Sequence, residues 1–237
     1  MDDDKSEPHA LEALEGFLEG LSTLETLHIY INRMRALPRI ASIVHHKKTL
    51  TSLSIHSQLN RDVVHIYLNE DFNRICTECT ELRQLSIFFP KTSAEEPVLD
   101  LDFQSFLQGT RKLQKLVTLN IRRWPQSRNS FTGASHKVLP HLRHYEMELQ
   151  RISQYIFQLS DSDAKEKNYG YGTRSCLSVI AWGGNGKTRH DISDSHKLKQ
   201  IAFVRGKKID AFGQESLLAV QLIWRCKYIT LLKPFIC

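Results

Sequence analysis

The sequence predicts an α/β fold in which short parallel strands form one layer and helices form the other. Three observations carry that expectation. One phrase recurs along the chain, written apolar, two variable, apolar, one variable, apolar. It stands at Leu24-Leu27-Ile29, Leu50-Leu53-Ile55, Leu82-Leu85-Ile87, Leu116-Leu119-Ile121, Leu142-Tyr145-Met147 and Leu198-Ile201-Phe203, with a degenerate copy at Leu177-Val179 in which Arg174 takes the first apolar position. The last two apolar positions of each phrase alternate with a polar one, as in a strand buried on one face. The stretches between phrases carry apolar residues at helical spacing instead.

Taken in order, the phrases predict strands centred on Leu27, Leu53, Leu85, Leu119, Tyr145, Val179 and Ile201. The last residues of successive phrases lie 26, 32, 34, 26, 32 and 24 residues apart, room for one strand and one helix per unit. Leu37, Ile40, Ile43 and Val44 fall on one helical face. Val64, Tyr67, Leu68 and Ile75 form a second such face, and Phe103, Phe106 and Leu107 a third. One strand and one helix cannot bury both apolar faces alone, so the units are expected to stack into a continuous core. The alternative is an ordinary α/β fold whose buried strands look alike by chance. Residues 1–10 read as a disordered tail and 11–237 as a single domain. Residues 125–137 and 161–173 are rich in loop formers and read as insertions between units.

Composition narrows the function classes. The chain of 237 residues has 32 basic and 26 acidic residues, a net charge of +6. The two signs are interspersed, and the basic pieces His45-His46-Lys47-Lys48, Arg122-Arg123 and Arg205-Gly206-Lys207-Lys208 are dispersed. No nucleic acid partner is expected from that pattern. Arg225, Lys227 and Lys233 break the longest apolar stretch, 217–237. No segment reaches the roughly 20 uninterrupted apolar residues of a bilayer helix, so no membrane partner is expected. Five cysteines, an odd count, suit reduced thiols in the cytoplasm or nucleus.

The phrase resembles the leucine-rich-repeat family over about residues 20–205. The resemblance implies an irregular leucine-rich-repeat solenoid with parallel strands on the concave face and helices on the convex face. The family's asparagine three residues beyond each phrase is present only as Asn32; Gln58, Pro90, Trp124, Gln150, Trp182 and Gly206 replace it elsewhere. A continuous asparagine ladder is therefore not expected. The runs Leu82–Pro90, Leu198–Phe203 and Asp210–Ser216 resemble the repeat region of fungal F-box/leucine-rich-repeat proteins. That implies a substrate-recognition module of a ubiquitin ligase relative. No F-box is visible: the helical run Leu11–Leu21 is short and lacks the leucine-proline opening. The docking of a ubiquitin ligase scaffold does not carry over, and the expectation is a relative truncated on its N-terminal side. The segment 224–237 departs from the family's pattern, and its role is not read.

Candidate chemistry is sparse. Ala181-Trp-Gly-Gly-Asn-Gly-Lys187-Thr188 fits a loosened phosphate-loop pattern. The polar run Arg189–His196 that follows is a poor helix start, and a phosphate loop needs one to present its backbone N–H groups. A nucleotide-binding enzyme is kept as the alternative, and a fragment without independent function as another. Cys76-Thr-Glu-Cys79 has zinc or redox spacing, but no second pair completes a tetrahedral site, and a helix C-terminus does not activate a thiol. The histidines lack metal spacing. The expectation is a protein without cofactor, metal or catalytic residue, which binds a protein partner. Its surface would lie at the outward positions of the strands, His28/Tyr30, Ser54/His56, Ser86/Phe88, Asn120/Arg122, Glu146/Glu148 and Ile180/Trp182. Tyr30, His56, Phe88, Arg122 and Trp182 are the candidate partner-binding residues, since exposed aromatic residues and arginine dominate interface energies.

Overall fold

A computed structural model of the chain describes residues 7–32, 36–58, 65–90, 92, 93, 96, 100–123, 125, 138–166, 175–183 and 201–222. Chain order runs α1 (Glu7–Gly20), β1 (Thr26–Asn32), α2 (Ile40–Val44), β2 (Ser52–Gln58), α3 (Asn69–Glu78), β3 (Gln84–Ile87), α4 (Leu101–Thr110) and β4 (Thr118–Ile121). It continues with α5 (Val138–Glu166), β5 (Val179–Trp182), β6 (Ile201–Ile209) and β7 (Glu215–Leu222). The fold is α/β. Its strands make one open, mixed sheet of seven in the order β1 to β7, each beside its neighbour in sequence.

β1 to β5 pair in parallel, and the recurring phrase sets their register. Leu27 pairs with Leu53, Leu53 with Leu85, Leu85 with Leu119, and Leu119 with Ile180. All are buried. The residue just ahead of each strand repeats one hydrogen-bond pattern. Glu25 O accepts the N–H groups of Thr51 and Ser52, Thr51 O those of Arg83 and Gln84, Arg83 O those of Val117 and Thr118, and Val117 O those of Ser178 and Val179. Each strand thus starts in register with the one before it.

The helices close the other side of the core. Ile40, Ile43 and Val44 of α2, Phe72 and Ile75 of α3, and Phe103, Phe106 and Leu107 of α4 share one cluster with the inward strand residues. Phe72 stacks on Phe106 with ring centroids 4.2 Å apart, and the edge of Phe89 meets both. Asp100 caps α4, its carboxylate accepting the Phe103 N–H. Of the three expected helical faces, the third lies in α4, and Ile40, Ile43 and Val44 of the first lie in α2, which Leu37 precedes. Of the second face α3 takes only Ile75; Tyr67 and exposed Leu68 precede that helix, and Val64 lies outside the described residues.

Several expectations are corrected. The strand expected at Tyr145 is part of α5, a helix of 29 residues. Its buried residues are Tyr145, Glu148, Leu149, Ile152, Ser153, Ile156 and Phe157, a helical spacing sustained over the described turns. Met147, which closes the phrase, is exposed. Glu146 and Glu148 accordingly belong to a helix, where Glu148 accepts from Arg151. The insertion expected at 161–173 gives residues 161–166 to α5, and the tail expected at 1–10 gives its last four residues to α1.

The strand at Ile201 exists but runs antiparallel to β5. Alternation of apolar residues encodes which face is buried and not the direction of the strand, so both directions satisfy the same phrase. β7 follows antiparallel through a turn in which Asp210 Oδ1 accepts from Phe212 N and Gln214 N, and Gly213 takes a positive φ of 78°. α5 then covers this last strand. Gln150 and Gln154, one helical turn apart, donate to Ala219 O and Leu217 O, and Gln154 Oε1 accepts the Ala219 N–H. Edge groups that would otherwise lack a strand partner are paired to a helix.

Candidate functional site

Because successive side chains of a strand point to opposite faces, the residues between the buried positions form the face of the sheet away from the helices. On β1 to β4 these are Thr26, His28 and Tyr30; Ser52, Ser54 and His56; Gln84 and Ser86; and Thr118 and Asn120, with Phe88 and Arg122 just past the strand ends. Strand pairing aligns His28 with Ser54, Ser54 with Ser86, and Ser86 with Asn120, and it places Tyr30 beside His56.

Four of the five candidate residues come together here. The Tyr30 ring meets the His56 ring edge-on at 4.7 Å, and His56 meets Phe88 at 5.1 Å. Arg122 lies across two strands. Its Nε donates to Ser86 Oγ at 2.9 Å, its Nη2 to Ser54 Oγ at 3.1 Å, and its Nη1 lies 3.2 Å from His56 Nδ1. A guanidinium only donates, so His56 Nδ1 accepts and the ring proton sits on Nε2. Burial first, then the charge of Arg122 and that of His28, pull the His56 pKa down to about 4. The imidazole is therefore neutral at pH 7. Burial alone lowers the Arg122 pKa, and no carboxylate pairs with it among the described residues. Tyr30 remains 59% exposed, while Phe88 and Arg122 are half-buried.

Trp182, the fifth candidate, is not on this face. It is fully buried and donates from Nε1 to Ser153 Oγ of α5 at 2.8 Å. Ile121 pairs with Trp182, and Leu119 with Ile180, so Ile180 and Trp182 point into the core and Val179 and Ala181 point away. The phrase belongs at Leu177-Ile180-Trp182, with buried Leu177 in the first position and not Arg174. The expected phrase stands three residues too early, and any odd shift exchanges the two faces of a strand. A tryptophan in an aliphatic position hid the better match.

Ser54, Ser86 and Asn120 lie in the outward columns, but nothing in their residue types signals that two of them hold Arg122. A serine at an outward strand position is ordinary, and only the register puts both within reach of one guanidinium.

Other chemistry read from the sequence lies elsewhere. Cys76 sits in the last turn of α3 and Cys79 caps its C-terminus; both are buried and free. Burial raises the Cys76 pKa and pushes that of Cys79 up to about 11, so neither is an activated thiol. Residues 184–188 of the glycine-rich loop lie outside the described residues. Among the described residues no group of three or more His, Cys, Asp or Glu could hold a metal ion, and no helix is long and apolar enough to cross a membrane. No family model, curated protein or solved structure matches the chain.

Proposed function

We propose that the chain is a non-catalytic protein-binding scaffold whose partner lies on the sheet face away from the helices. The observation that carries this reading is the cluster of Tyr30, Phe88 and Arg122 joined through the buried His56 and held in place by strand register and by the serines beneath Arg122. Rigid aromatic residues and arginine on a preorganised sheet are the groups from which interface hot spots are built.

The finer architecture we infer is an irregular leucine-rich-repeat solenoid, with this face concave and the helices on the convex side. Support comes from the phrase shared by β1 to β4, their parallel pairing in chain order, and the repeated double acceptance at Glu25, Thr51, Arg83 and Val117. On the same resemblance, the scaffold is a substrate-recognition module related to those of F-box ubiquitin ligases. Free, buried Cys76 and Cys79 suit a reducing compartment, the cytoplasm or nucleus.

The test places a photo-crosslinking residue at position 30 or 88 of the full chain, with positions 147 and 212 as controls; Met147 is exposed on α5 and Phe212 in the turn between β6 and β7. Crosslinking in cells of origin, followed by purification of the captured protein, should give a product from 30 and 88 that the controls lack. Tyr30→Ala and Phe88→Ala should then each weaken binding of that purified protein by roughly ten-fold or more, and Met147→Ala should leave it unchanged. Equal capture from the controls, or unchanged affinity in both variants, overturns the assignment of this face.

A further inference from the structure

The face holding Arg122 has an unusual charge pattern. The chain has 26 acidic residues. None stands at the outward positions of β1 to β5, which read Thr26, His28, Tyr30, Ser52, Ser54, His56, Gln84, Ser86, Thr118, Asn120, Val179 and Ala181 among the described residues. No lysine stands there either. Arg122 is the one full cation of this face over β1 to β5 among the described residues, and it is half-buried. Several cations elsewhere meet carboxylates, Arg39 with Glu15, Lys47 and Arg74 with Glu78, Lys115 with Glu81, and Arg205 with Asp161. A partly desolvated cation without a counter-ion is costly in the free protein.

The guanidinium is also aimed. A guanidinium has five N–H donors, and the Ser54, Ser86 and His56 contacts take three. One N–H on each Nη is left, a pair suited to a planar two-oxygen acceptor. The geometry points to a single carboxylate of a protein partner, an Asp or Glu side chain on a segment crossing β2 to β4, as the group that docks on Arg122 beside His56. This rests on the sheet face being the partner surface, and it names what the partner presents there.

Charge decides against the competing anions. One guanidinium beside a neutral imidazole offers one positive charge, which balances a carboxylate and not a phosphate dianion. A nucleic acid strand needs several cations spaced along its phosphates, and this face lacks them.

The full chain, labelled with nitrogen-15, is titrated with N-acetylglutamate N-methylamide, with the glutamine analogue, with inorganic phosphate and with a single-stranded oligonucleotide. The expected result is a saturable shift of the Arg122 Nε–H signal with the glutamate compound and none with the glutamine one. The groups facing His56 are Arg122, His28, Tyr30 and Phe88. A carboxylate bound at Arg122 should therefore raise the His56 pKa, which its ring signals report. Arg122→Gln should weaken glutamate binding by roughly ten-fold or more, and Arg122→Lys, which keeps the charge but loses the fork, should weaken it less. Absence of a saturable shift, tighter binding of phosphate or oligonucleotide at the same signals, or binding that survives in a folded Arg122→Gln variant overturns the proposal. Failure here is separable from failure of the scaffold reading: a partner crosslinked at 30 and 88 that binds Arg122→Gln normally leaves the surface and removes the carboxylate.

Discussion

His56 shows how one side chain can be held in a single state by its neighbours. Tyr30 and Phe88 flank its ring, and Arg122 donates to its Nδ1. Protonation would place a cation against a guanidinium in a desolvated position, and its pKa falls from 6.5 to about 4. The folded state therefore binds a proton less readily than the unfolded chain. Stability conferred by the neutral ring is fully present above pH 6.5 and is lost as pH falls towards 4. His56→Gln, which does not titrate, should unfold in urea with a shallower loss of stability over that window, differing from the parent by on the order of 1 kcal/mol at its lower end. Parallel pH profiles of the two midpoints would show that the ring is not held neutral by the fold. Little of this was legible beforehand. His56 and Arg122 are far apart in sequence, and only the strand register brings them together. Trp182 makes the same point from the other side, since an odd shift of the phrase separates an interface anchor from a core residue.

At the scale of the element, α5 is the instructive case. Leu142, Tyr145 and Met147 satisfy the strand phrase, yet the segment is helical. A phrase of six residues samples less than two helical turns, and short apolar runs do not distinguish the two periods. The wider window does, because Tyr145, Leu149, Ile152 and Ile156 continue on one face, all of them buried. Leu149 is fully buried whereas Met147 is 61% exposed. Leu149→Ala should accordingly cost about 2–5 kcal/mol, and Met147→Ala within about 0.5 kcal/mol of nothing. Chemical denaturation of the two variants checks this; in a strand, positions 147 and 149 would share one face and the two costs would be alike. The helix also has a task the phrase could not foretell, since Gln150 and Gln154 pair with the backbone of β7.

Across the whole molecule, one row of side chains runs through the parallel sheet from Leu27 to Leu53, Leu85, Leu119 and Ile180, and on to Phe203 in β6. Each belongs to a different unit, so the core is shared between units and not completed within any of them. Leu53→Ala and Leu85→Ala should each destabilise the chain by about 2–5 kcal/mol. Each should lower protection of backbone amides in the neighbouring strands as well as in its own, by native-state hydrogen exchange. Unchanged urea midpoints in both variants would mean that this row is not the core.

The α/β class, the strands at Leu27, Leu53, Leu85 and Leu119 and their inward positions were determined by the sequence alone. Burial on one face of a strand is written in a period of two and burial on a helix in 3.6, and both are local properties of consecutive residues. Four residues of the candidate surface could be named for the same reason, since outward positions follow from inward ones. Only the tertiary structure decided the rest. The direction of β6, the pairing of β7 with α5, the helix at Tyr145, the inward turn of Trp182 and the clasp of Ser54, Ser86 and His56 on Arg122 depend on which strands are neighbours and in what register. Those are relations between residues remote in the chain, and no local period records them.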